Sequence, residues 1–176
     1  LLIQKGIDTL KTALTLQEKR SILYHQLAQL LFKKGDVRQA RMHEQTAITL
    51  YPENGAYYWG MAMIELEAGH SEEFVSALKK AQSNYPLYTD TQAYLTFAEK
   101  LACGRSYDFI SGVVMNGIAQ LASDLNLRTA KILIGLNSGI DMTEEYDFIK
   151  KNDPSAAKMV RDAIARHPCK LRNFSD

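Results

Sequence analysis

The side chains best suited to acid–base, metal or nucleophile chemistry are His25, His43, His70 and His167, with Cys103 and Cys169. Their spacing brings none of them together. No histidine has a cysteine or glutamate at metal-site spacing, and the two cysteines lie far apart. They read either as two idle thiols or as a disulfide tying the tail to the third unit, and their number does not fix the compartment. His43 and Glu44, adjacent on one helix, read as ordinary surface residues. Glu65 with Glu67, or Glu72 with Glu73, would be carboxylate pairs, but near neighbours in a helix point apart. Gly104, Gly112 and Gly117 are too dispersed for a phosphate loop, and Ser71, Ser106 and Ser111 lack the turn of a serine nucleophile. The expectation is a non-catalytic piece without catalytic residue, metal or cofactor. An enzyme elsewhere in a longer parent chain stays open.

Charge and hydropathy narrow the partners. A net charge of +1 gives no general attraction to nucleic acid or to acidic membranes. Basic residues gather at Lys33, Lys34, Arg38 and Arg41, and again at Arg161, Arg166, Lys170 and Arg172. Neither group interleaves with aromatics as a nucleic-acid track would, so both read as solvated edges. No apolar run approaches the ~20 residues of a membrane span. The start of the chain lacks the layout of a signal peptide. A cytoplasmic or periplasmic piece fits.

The elements that would position any site follow a period. Ala28, Ala40, Ala47 and Pro52 are followed 34 residues later by Ala62, Phe74, Ala81 and Pro86. Tyr24, Leu27 and Gly35 are followed likewise by Tyr58, Met61 and Gly69. Small residues fit close helix crossings, glycines end helices, and prolines begin turns. A period of this length marks one helical unit that buries its apolar face against the next copy.

This pattern resembles the tetratricopeptide repeat family. Residues 21–88 carry the resemblance, through Tyr24, Leu27-Ala28, Ala40, Ala47 and Pro52, then Tyr58, Met61-Ala62, Ala81 and Pro86. Phe74 departs from it, because the family favours alanine there. The resemblance implies an all-α fold, a right-handed superhelical solenoid of antiparallel helix pairs, and a concave groove for a peptide or protein. In the slots that line such a groove stand His25, Gln29 and Phe32, then Ala56, Trp59 and Met63, then Ala93 and Phe97. These residues favour an apolar or helical segment over the terminal carboxylate that some members grip. A tryptophan buried by the next unit would look the same.

Taken in order, residues 1–18 read as the second helix of a truncated repeat or as an N-terminal cap, because Ala13 and Leu16 precede Ala47 and Leu50 by the same period. Residues 21–54 and 55–88 are repeats, and 89–122 and 123–156 are degenerate ones. In the latter Thr96 and Ala130 hold the small-residue slots, and Pro154 keeps phase with Pro86. A terminal helix over 157–168 closes a single solenoid spanning 1–168, and 169–176 is a loose tail. Ser21, Asp36, Ser71, Asp90, Ser106, Asp141 and Asp153 read as helix caps.

Three functions fit. The first is a protein-interaction module. The second is an accessory domain of a larger enzyme or of a bacterial envelope polymer or glycan-transfer machine. The third is a scaffold that self-assembles through residues 1–18 as a homo-oligomer.

Overall fold

Every regular element described is a helix, as the apolar spacing requires. The computed structural model describes residues 1–82, 90–100, 103, 107–172 and 174. Among them the helices are α1 (Leu2–Leu16), α2 (Ser21–Lys33), α3 (Val37–Leu50), α4 (Gly55–Glu67), α5 (Ser71–Ala81), α6 (Thr91–Glu99), α7 (Asp108–Gln120), α8 (Leu125–Asn137), α9 (Thr143–Asn152) and α10 (Pro154–Arg166). The fold is all-α. The chain divides into two compact units, Leu1–Leu87 and Tyr88–Asp176, where the sequence reading drew one run of repeats over 1–168.

In the first unit the helices pack in chain order, α1 on α2, α2 on α3, α3 on α4 and α4 on α5, with α2 also touching α4. The turns inside the two hairpins are copies of each other. Gly35 and Gly69 take φ of +88° and +79°, a left-handed conformation that a side chain would strain. The next amide then reaches back, from Asp36 to the Leu31 carbonyl and from His70 to that of Glu65, at 2.9 Å each. Ala28, Ala40, Ala47, Ala62 and Ala81 are all at 0% exposure, so the small residues sit where backbones come close. Phe74 is equally buried. Ile7 and Leu14 of α1 join Leu27, Leu31, Ala40 and Ile64 in one apolar cluster. Helix α4 is apolar nearly all round and buries Tyr57, Trp59, Met61, Ala62, Ile64 and Leu66, as befits the middle of a stack.

The second unit is centred on α8. Leu127, Ala130, Ile132, Leu133 and Ile134 are buried on it, and both α6 and α7 pack against it. Helix α9 pairs with α10, and α10 also touches α6 and α8. A disulfide joins Cys103 to Cys169, whose Cα atoms lie 5.2 Å apart. This settles the open question about the thiols in favour of the cross-link. Beside it the buried His167 donates from Nε2 to the Ala98 carbonyl at 2.9 Å and accepts the Cys169 amide at Nδ1 at 3.2 Å. His167 and Cys169, at the start of the stretch read as a loose tail, are held by these bonds.

Several caps differ from the sequence reading. Asp36, Asp90 and Asp153 accept first-turn amides as expected. Ser21 and Ser71 instead begin their helices, and the residues before them make no side-chain cap bond. Ser21 Oγ bonds the Tyr57 hydroxyl at 3.1 Å, so its polar group serves packing and not capping. Asp141 accepts from the Thr143 amide and hydroxyl as a cap would, but from one position before the N-cap residue, Met142. Asn84, Tyr85, Pro86, Gly104 and Ser106 lie outside the described residues.

Candidate functional site

Helices α2 and α4 stand in equivalent places in the two copies, so equal slots on them form adjoining parts of one face. His25 and Gln29 are one turn apart on α2, as Trp59 and Met63 are on α4. Their exposures are uneven. His25 and Trp59 each keep 8%, while Phe32 and Met63 are half-buried and Gln29 is exposed. Ala56 is half-buried at the start of α4. Ala93 and Phe97 lie in the second unit on α6, buried to 7% and 1%, with the Phe97 ring edge-on to Tyr107 at 5.2 Å.

Beneath this face runs a polar network that joins α2 to α3 and packs against α4. His25 Nδ1 donates to Glu44 Oε1 at 2.7 Å, and the Gln29 amide donates from Nε2 to His25 Nε2 at 2.9 Å. Together these bonds select the imidazole tautomer with its proton on Nδ1. The Tyr57 ring packs on His25 with centroids 4.8 Å apart. Gly60 makes the network fit, since a Cβ there would meet Glu44 Oε1 at 2.5 Å and His25 Cε1 at 3.3 Å. No protein-family model and no curated protein matches this chain.

Glu44 corrects the sequence reading. It is 1% exposed, not a surface residue, and its Oε2 has no hydrogen-bond partner. Burial pushes its carboxyl above the ordinary value of 4.5, and the bond from His25 only partly opposes that. His43, its neighbour, is half-buried beside Tyr24, and its imidazole is lowered by burial and then by Lys11. The signal for Glu44 was present. It falls on the inner stripe with Val37, Ala40 and Ala47, and one period later the same slot holds the fully buried Leu78.

A second buried carboxylate, Glu65, accepts from Arg41 Nε at 2.6 Å and from His70 Nδ1 at 2.8 Å. Arg41 thus bridges α3 to α4 while staying half in water. In the second unit Glu145 pairs with both Arg128 and Lys131, and the Arg128 guanidinium lies 4.1 Å above the Phe148 ring. Arg128 and Phe148 also line a cavity of about 390 Å³ with Leu125, Ile149 and Ala156. That guanidinium is already engaged by the Ala122 carbonyl as well as by Glu145.

A histidine held by a carboxylate is the arrangement of a general base. Here the Ser21 hydroxyl bonds Tyr57 and the free side of the imidazole meets an amide. The geometry positions hydrogen-bond acceptors on a helix face. Among the described residues no three His, Cys, Asp or Glu side chains gather as a metal centre needs, and no helix is long and apolar enough to cross a membrane.

Proposed function

We propose that residues 21–88 form a tetratricopeptide-type interaction module, and that the α2–α4 face binds a segment of a protein partner. The finer architecture in this reading is a right-handed superhelical stack of antiparallel pairs with that face concave. One observation carries it. The first helices of the two copies touch, and Gln29 and Met63, in matched slots, remain accessible together with Phe32. The apolar members would anchor a helical or extended peptide and the polar ones would orient it. Trp59, mostly buried, would form the floor and not the tip of the contact.

The test is selection of random peptides from a display library on the intact chain. Selected peptides should lose roughly fivefold or more of their affinity on Met63→Ala or Phe32→Ala, with helical content unchanged. Peptides that bind equally well to both variants would end this reading. A second reading, self-assembly, draws on α1, where Leu2 and Leu16 keep 85% and 81% exposure. Mass against concentration, for the parent and for Leu16→Glu, tests it.

A further inference from the structure

Glu44, Glu65 and Glu145 are three carboxylates withdrawn from water, and two of them are fully provided with basic partners. Glu65 holds Arg41 and His70, and Glu145 holds Arg128 and Lys131. Glu44 holds His25 alone, through one oxygen, and the other oxygen is an orphan. No lysine or arginine among the described residues pairs with it. A carboxylate buried without a full cation leaves negative potential in a poorly screening region. An apolar side chain would fill the slot without that penalty, as Leu78 does one period on.

A hydrogen-bonded path runs from Glu44 through His25 to Gln29. His25 Nε2 is a lone-pair acceptor, because Glu44 holds the proton on Nδ1. Gln29 turns its N–H inward to that lone pair, so its carbonyl oxygen is left as an acceptor on an exposed residue. Phe32 lies three residues after Gln29 on α2 and Met63 takes the matching slot on α4, and both are half-buried apolar side chains. A free carbonyl oxygen linked through two hydrogen bonds to a buried carboxylate, on a face that also carries apolar side chains, matches a side chain with an aliphatic stem and a cationic donor head.

We propose that the Gln29–His25 surface over Glu44 is a specificity point that takes a lysine or arginine side chain of the bound segment. This rests on the α2–α4 face being the binding surface. The incoming cation offsets the Glu44 charge at one remove, through His25 and Gln29, where Arg41 pairs with Glu65 directly. Glu44 acts through His25 and Gln29 as a positioning residue and touches no partner itself.

The experiment uses random dodecapeptides displayed against the intact chain at neutral pH, selected in parallel on the parent, on Glu44→Gln and on Gln29→Lys. The Gln29→Lys substitution is at an exposed helical position and keeps an N–H donor on the side chain, so helical content should be unchanged, and it brings a cation to the His25 side of Glu44 from within the chain. Peptides selected on the parent should be enriched in lysine or arginine at one position. They should bind Gln29→Lys and Glu44→Gln roughly fivefold to tenfold more weakly. Replacement of the enriched basic residue by glutamine should cost the parent the same factor and Gln29→Lys little. Imidazole nitrogen shifts should report an acceptor Nε2 in the parent and lose that tautomer preference in Glu44→Gln, a change that mere loss of packing would not give. Peptides that depend on Met63 and Phe32 but show no basic position, or that bind Gln29→Lys as tightly, overturn this inference and leave the binding face standing. Peptides indifferent to Met63 and Phe32 overturn both.

Discussion

In the first unit each helix leans on the next one in the chain, whereas in the second both α6 and α7 lean on α8. The two halves have similar length and the same helical grammar. What separates them is the small-residue slots. Ala28, Ala40, Ala62 and Ala81 are at 0% exposure and let successive backbones approach, so every hairpin closes on itself and then on its neighbour. In the second unit the corresponding first slot holds Thr96, half-buried and bonded to its own helix at the Gln92 carbonyl. The unit then gathers round its most apolar helix and is tied by a disulfide and by His167. Local packing in series and a central helix with cross-ties are two ways to bury the same kind of stripe.

The strongest way to break the contrast is Phe74→Ala. Phe74 fills a fully buried slot in which alanine is the pattern. Truncation should destabilise the first unit by roughly 3–5 kcal/mol, read by urea melts. Amide exchange should quicken first in α4 and α5. A loss under about 1 kcal/mol would show that the slot collapses round a smaller residue. Next comes the paired substitution of Cys103 and Cys169 by serine. A closed loop with a sequence separation of 66 is consistent with roughly 2–4 kcal/mol of stabilisation, and the loss should appear in α6 and α10 amides and not in α2 or α3. Equal loosening of both units would erase the distinction.

Ala62→Phe sharpens the comparison at the slots themselves. Overpacking there should cost roughly 1–3 kcal/mol, whereas Thr96→Ala at the matching slot of the second unit should stay within about 0.5 kcal/mol. Similar changes at both sites would mean that the slots do the same task. The smallest effect is on pH dependence, where the signs oppose. Glu44 has a raised folded-state value, so its ionised form opposes folding, and stability is lost as pH rises through that value. Asp141 and Asp153 are lowered, chiefly by hydrogen bonds from the hydroxyls of Thr143 and Ser155. Their contribution is present above the ordinary value of 3.8 and fades as pH falls through the lowered one. Acidification from neutral should therefore relieve the first unit before it weakens the caps of the second. Glu44→Gln should flatten the first trend alone, as followed by exchange rates in α3 and α9.

Much of the helical layout was legible because its causes are local. Gly35 and Gly69, the caps Asp36, Asp90 and Asp153, and the stripes of α3 and α8 each announce an element within a few residues. Partners brought from elsewhere in the chain were not legible. Nothing in the spacing of Ser21 points to Tyr57, and the two cysteines left both free thiols and a cross-link open. Glu44 was misread because charge was weighed before position. Its neighbours on the helical stripe and its periodic counterpart Leu78 both indicated the interior. Gly60 passed unnoticed for a related reason, since its use is to leave room for a side chain on another helix.

The cross-link between Cys103 and Cys169 has a topological consequence. Helices α7, α8, α9 and α10 all lie between the two cysteines, so the bond makes them parts of one covalent ring. Ser138, Gly139, Ile140 and Asp141, between α8 and α9, are exposed, which is where a protease would enter. A single cut there opens the ring but frees no fragment. The nicked chain stays one molecule on a gel until a reductant is added, and only then separates into two pieces. The fold can thus outlast the continuity of its own backbone.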